Sequence, residues 1–455
     1  MRTSSTRHRG RRAAASAVLG LLLVAAAGAP ARAESTREEQ WFLDAMKAEQ
    51  MWQTSTGKGV TVAVIDTGVD PGNPDLKGRV LPGKDFAEDQ PGDEHTDYGG
   101  HGTGMAGLIA GTGAYGGGRG AFGLAPGAEI LPIRMPKAET AANQAEGDRQ
   151  FNEIAPQAIR YAVDAGAQVI NISLGHTKGS PQLTEAVNYA LDKGSLIFAA
   201  VGNSGDTTNL VEYPAATPGV VGVAAVGKDL HRTAESEYGP QVDMAAPGED
   251  LLHACGNETG LCESHGTSGA TALASASAAL IWSKYPSWTN NQVLRVMLNT
   301  IGAPTDGAKR NDSIGYGVVR PRIALQSPGD PGPADVYPLP DLAAAASKSP
   351  SPQSSKTAGT DAAAKDGNSD VTASASKDGG IPWGVLGLVA AALLGAAIGA
   401  AAVIRSRRTP AATLPTTEPI LGQFPHAAAG FTPPLHSAPG TPGSAAPPDR
   451  GPGSV

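Results

Sequence analysis

The stretch SHGTSGATALASASAAL, residues 264–280, sets Ser268 between a Gly-Thr pair and a run of small residues. A serine hydroxyl attacks a carbonyl at neutral pH only when a base takes its proton and a third group orients that base. Nine histidines are available. His101, in GGHGTGMAG, has glycines on both sides that leave its imidazole accessible and let a helix pack closely. His95, His176, His231, His253 and His265 lie in polar or loop-like stretches and read as surface residues. Asp66 ends the apolar run VTVAVI and precedes Thr67-Gly68, so its carboxylate should emerge at the end of a strand. The tripeptide DTG also occurs in aspartic proteases, but those need two facing carboxylates and a single DTG occurs here. Asn203, in LIFAAVGNSG, offers a side-chain N–H to an oxyanion. Each residue alone has a plain alternative: a turn cap for Asp66, a helix cap for Ser268, a turn asparagine for Asn203. Together they are the set that acyl transfer needs.

These residues have to be held by something. VTVAVID (60–66), AEILPIRM, QVINISLG, SLIFAAVG and GVVGVAAVG read as buried strands. Between them, HGTGMAGLIAG opens a helix, and FNEIAPQAIRYAVDAGA and QLTEAVNYALDKG have helical spacing. Such alternation implies βαβ units and an α/β domain with a mostly parallel sheet between helices, whose ligands sit at the carboxyl ends of the strands. Asp66 and Asn203 both fall at such ends. A helix is expected from Thr267 to about Lys284, mostly Ala, Ser and Gly and so suited to burial, followed by one capped by Thr289. Ser268 would then lie where unpaired N–H groups and the helix dipole favour developing negative charge.

The two cysteines, Cys255 and Cys262, both lie in HACGNETGLCESH. In an exported chain so close a pair is most simply a disulfide that fixes the approach to Ser268. His253 and His265 could instead join them as a zinc site. Export itself is read from the N-terminus: a basic lead, an apolar run from Ala13 to about Gly28, and Ala31-Arg32-Ala33 as a cleavage site, giving a signal peptide over residues 1–33. Residues 381–404, IPWGVLGLVAAALLGAAIGAAAVI, carry no charge and are long enough to cross roughly 30 Å of hydrocarbon. Arg405, Arg407 and Arg408 mark the cytoplasmic side of this single transmembrane helix. The folded domain, residues 34–325, is therefore expected outside the cell membrane. Residues 326–380 read as a disordered Pro/Ala/Ser-rich linker and 405–455 as a disordered cytoplasmic tail. The net charge of -8 includes no basic block in the domain, which argues against a nucleic-acid partner.

VAVIDTGVD, GGHGTGMAG, NISLG, AAVGNSG and HGTSGATA, in that order, resemble the signature blocks of the subtilisin-like serine peptidases over about residues 59–325. The order Asp, His, Ser is that of this family among several unrelated folds with the same triad. The resemblance implies a subtilisin-like three-layer domain. It makes Asp66 the residue that orients His101, His101 the general base and then acid, Ser268 the nucleophile, and Asn203 with the Ser268 N–H the oxyanion hole. Ser173, Leu174 and Gly175 are similar to the edge that pairs with an extended peptide. Residues 199–202, with Ala200 and Gly202, resemble a wall of the pocket for the side chain before the cut. Within the family, the order of signal peptide, domain, linker, span and basic stop is most similar to the mycosins, membrane-anchored peptidases of type VII secretion. EEQWFLDAMKAEQMWQTSTGKG resembles their leading segment, and too few residues separate the signal site from Asp66 for a large folded propeptide. A type VII secretion complex is the implied partner beside a protein or peptide substrate. No cofactor is implied, and no metal or calcium site can be matched. The family usually has a bulkier residue after the serine and a proline four positions beyond it; Gly269 and Ala272 stand here, so a looser helix start is expected. A structural role in the complex, with catalysis secondary or absent, is the alternative. An esterase is disfavoured because no G-x-S-x-G elbow surrounds Ser268.

Overall fold

The computed structural model describes residues 35–137, 141–256 and 260–348. The expected signal peptide, span and tail, and most of the expected linker, lie outside them. Among the described residues no helix is long and apolar enough to cross a membrane.

In chain order the elements that matter are β1 (Thr61–Asp66), β2 (Lys84–Asp85), α1 (His101–Ala110), β3 (Glu129–Arg134), α2 (Gln144–Asp164), β4 (Val169–Ile172), α3 (Pro181–Asp192), β5 (Leu196–Ala200), β6 (Val221–Val226), β7 (Met244–Pro247), β8 (Leu251–Ala254), β9 (Leu261–Ser264), α4 (Thr267–Lys284) and α5 (Asn290–Asn299). Strands β1 to β7 form one sheet in the order β2-β3-β1-β4-β5-β6-β7, and every neighbouring pair is parallel. Side chains alternate across it. Val62, Val64, Phe198 and Val223 face the layer that contains α1 and α4. Ala63, Ile65, Ile197 and Ala224 face α2 and α3. Burial on both faces is why these strands read as nearly continuous apolar runs. Helix starts follow from their caps: Ser180 accepts the Leu183 N–H and Pro181 opens α3, while Thr289 and Gln292 form a capping box on α5.

Three features depart from the expectation. Strands β2 and β7 are not legible as strands, because two residues and a Met-Ala-Ala-Pro run carry no periodicity; Pro247 is tolerated because β7 is the edge strand. Antiparallel β8 and β9 pair Leu251 with Ser264 and His253 with Cys262, so a hairpin leads directly into α4. The packed chain also runs past residue 325, where the linker was expected to begin. Arg295 donates to the Pro331 and Pro333 carbonyls at 2.7 and 2.8 Å, Leu339 is buried, and Asp341 accepts the Gly219 N–H at 2.7 Å. Proline-rich composition hid a strap whose carbonyls are bound by α5 side chains.

The leading segment forms short helices, Thr36–Glu39, Trp41–Met46 and Ala48–Trp52. Phe42 and Leu43 are buried. The buried Gln40 amide donates to the Phe122 and Leu252 carbonyls and accepts the Phe122 N–H, which ties this segment to β8.

Candidate active site

Asp66, the last residue of β1, is completely buried. Its Oδ1 accepts the Thr67 N–H at 2.8 Å and lies 2.7 Å from His101 Nδ1. His101 is the first residue of α1, and Gly102 lets that helix come so close: a Cβ there would lie 2.1 Å from the Gly68 carbonyl oxygen. The Asp66 charge raises the His101 pKa above its ordinary 6.5 and outweighs burial, which pulls the other way. The imidazole keeps 37% of its side-chain surface, so its far edge is open to a ligand.

Asp97, which drew no functional reading from the sequence, holds this pair in place. Its Oδ1 accepts the Gly100 N–H at 2.8 Å and the Thr67 hydroxyl at 2.7 Å, and its Oδ2 accepts the Thr103 N–H at 2.7 Å. Thr67 Oγ1 in turn accepts the Gly102 N–H at 2.9 Å. One carboxylate thus caps α1 and joins it to the residue after Asp66. An aspartate just ahead of a helix start was the available signal.

Ser268 lies in the first turn of α4, half-buried. It is bound to Ser173 in both directions: the Ser268 hydroxyl donates to the Ser173 carbonyl at 3.3 Å, and the Ser173 hydroxyl donates to the Ser268 carbonyl at 3.2 Å. The Ser268 hydroxyl therefore makes its hydrogen bond to Ser173 rather than to His101. Buried Asn171 of β4 extends the link, donating to Ser173 Oγ and accepting from Ser275 of α4, each at 3.0 Å. Asn203 is exposed, and its Oδ1 accepts the Thr267 N–H at 2.9 Å and the Thr267 hydroxyl at 3.1 Å. With its oxygen engaged by Thr267, this exposed side chain keeps its NH₂ donor beside the start of α4. Gly266 permits this approach, since its φ is +112° and a Cβ would lie 2.8 Å from Asn203 Oδ1.

A cleft of about 670 Å³ is lined by His101, Phe151, Ser173, Leu174, Gly175 and His176, among others. Ala200 ends β5, beside β4 in the sheet, and Gly202 follows it. Asp66 and His101, and likewise Ser268, Ser173 and Asn203, are thus gathered at the carboxyl ends of β1, β4 and β5.

Cys255 and Cys262 are joined as a disulfide. The zinc alternative falls, since both thiols are consumed and the His253 ring nitrogens meet the Ala254 carbonyl and Ser264 Oγ, each at 2.9 Å. His253 is no surface residue: it is 3% exposed, and desolvation lowers its pKa to about 4. His176 is not one either; its side chain is 16% exposed, lines the cleft and packs on Phe151 with ring centroids 4.9 Å apart. Gly269 leaves no gap at the start of α4, because Leu251 Cδ1 lies 2.5 Å from where its Cβ would be. The looser start is not found: the hairpin fills the space.

The family model described as "Subtilase family" matches residues 57–317. An intracellular serine protease of Paenibacillus polymyxa is 37% identical over 215 residues, 46% of this chain and 63% of that protein, so the chain spans under two thirds of this relative. The crystal structure of MycP1 from Mycobacterium smegmatis aligns at a TM-score of 0.56 with 30% identity, covering 68% of this chain and 89% of that one. The structure of the MycP3 protease from the type VII (ESX-3) secretion system aligns at 0.55 with 33% identity, covering 65% and 90%.

Proposed function

The chain belongs to the subtilase family, and from that premise we propose that it is a serine endopeptidase, anchored in the cell membrane with its catalytic domain outside, that works with a type VII secretion complex. The observation that carries the catalytic reading is the buried Asp66 carboxylate 2.7 Å from His101, opening on the cleft that Ser173, the partner of Ser268, also lines.

In this reading an extended peptide pairs with Ser173, Leu174 and Gly175. Its N–H competes for the Ser173 carbonyl and releases the Ser268 hydroxyl, which turns to His101. His101 Nε2 takes the proton as Ser268 Oγ attacks the scissile carbonyl, and Asp66 balances the imidazolium. The Asn203 amide and the Ser268 N–H, free in the first helical turn, stabilise the oxyanion. His101 then protonates the leaving amine, and water hydrolyses the acyl-enzyme by the same steps.

Anchoring is supported by the apolar 381–404 segment and the arginines after it, and the secretion role by the likeness to the MycP3 protease. A fluorophosphonate should label the wild-type chain and fail to label Ser268→Ala and His101→Ala; labelling of Ser268→Ala would refute the assignment. Secretion restored to a deletion strain by Ser268→Ala would favour a structural role in the complex.

A further inference from the structure

Two acidic residues that the catalytic reading leaves unused lie under the two backbone segments expected to bracket the substrate side chain before the cut. Glu212 precedes Tyr213, whose N–H and carbonyl pair with the main chain of His176 at 2.7 and 2.9 Å, next to Gly175. Its carboxylate reaches back beneath that segment, and a Cβ on Gly175 would lie 2.4 Å from Glu212 Oε2. Glu237 approaches from the other wall. Its N–H donates to the Gly202 carbonyl at 3.0 Å, and a Cβ on Gly202 would lie 2.5 Å from each of its carboxylate oxygens.

Neither carboxyl has a cationic partner among the described residues. Glu237 is completely buried; its Oε1 accepts the Ser204 hydroxyl at 2.6 Å, while its Oε2 has no hydrogen-bond partner. Arg232, close by in sequence, is engaged elsewhere, since it donates to the carbonyls of Thr233, Ala234 and Ser236. Burial pushes the Glu212 carboxyl up to about 7, with the Glu237 charge adding to the effect, and burial raises Glu237 as well. A buried acid without a counter-charge needs either a proton or a cation from outside, and a substrate chain laid along Ser173 to Gly175 delivers its side chain between these walls.

We infer that Glu212, backed by Glu237, selects a lysine or arginine side chain in the substrate residue immediately before the scissile bond. This rests on the peptidase reading, because the two walls are defined by the substrate it assigns. A neutral side chain of equal length leaves both carboxyls without a cationic partner.

The test has two arms on the full chain. The first compares kcat/KM on peptide amides that differ only in the residue before the cut: lysine, arginine, norleucine or glutamate. Wild type should prefer lysine over norleucine by at least tenfold, and Glu212→Gln should cut that ratio at least tenfold. The second follows p-aminobenzamidine binding by fluorescence, which needs no catalysis; affinity should fall at least tenfold in Glu212→Gln, and Glu237→Gln gives an independent check where it folds. An enzyme labelled by fluorophosphonate that shows no basic preference and binds no p-aminobenzamidine overturns this inference and leaves the peptidase reading standing. A chain that is not labelled but binds the amidine through Glu212 overturns the peptidase reading and keeps the cation site.

Discussion

Replacing Asn203 separates its two roles. Its Oδ1 accepts the Thr267 N–H and hydroxyl at 2.9 and 3.1 Å, a structural duty, while its NH₂ is the group assigned to the oxyanion. Asn203→Ala removes both. Loss of one oxyanion donor lowers kcat by about 10² to 10³ in enzymes of this kind, about 2.7–4 kcal/mol of transition-state stabilisation. KM should change little, because the donor acts on charge that develops only in the transition state. The Thr267 N–H, left without its acceptor at the start of α4, should cost about 1 kcal/mol of stability. Asn203→Asp keeps an oxygen for Thr267, so its melting temperature should stay close to wild type. It also turns a carboxylate oxygen toward the developing oxyanion, so kcat should fall at least as far as in the alanine variant. The assay is steady-state cleavage of a fluorogenic peptide amide, with thermal melting followed by circular dichroism on the same samples. A loss of kcat below tenfold in both variants, or a rise in KM at unchanged kcat, would refute the oxyanion assignment.

Because Asp66 holds the His101 pKa above 6.5 and the base works only when neutral, the acid limb of kcat/KM should lie above pH 6.5. In Asp66→Asn that limb should move down; an unmoved limb would mean another group is being titrated. For stability the sign is opposite: the raised folded pKa stabilises the protonated state, so this contribution is complete below about 6.5 and is lost as pH rises through the folded value. Replacing Cys255 and Cys262 together by serine opens a short loop and should cost about 2–3 kcal/mol in denaturant unfolding; no change would show that the hairpin holds itself. A domain ending at residue 325 should melt below one ending at residue 348, since burial of Leu339 alone is worth about 1.5–3 kcal/mol. Equal melting would return the strap to the linker.

Much of the fold was legible because a parallel sheet covered on both faces leaves simple marks: apolar runs such as TVAVID and LIFAA, bounded by glycines and alternating with capped helices. Strands β2 and β7 were not, since their pairing comes from neighbours rather than their own residues. His253 and His176 were misplaced for a related reason. A histidine in a polar-looking run is exposed or buried according to what packs on it, and here Ser264 of β9 and α1 at Gly104 cover His253 while Phe151 covers His176.

Residue types and spacing by themselves determined which side chains could do chemistry, because each needs its place at a strand end or a helix start and those boundaries are written locally. Tertiary structure alone decided what stands between them. Asp97 binds α1 to Thr67, Leu251 fills the space beside Gly269, and Glu212 and Glu237 lie beneath Gly175 and Gly202, glycines distant from them in sequence. Charge and packing across such separations depend on distances that only the closed fold sets, and they govern how the site is held and which side chain it admits.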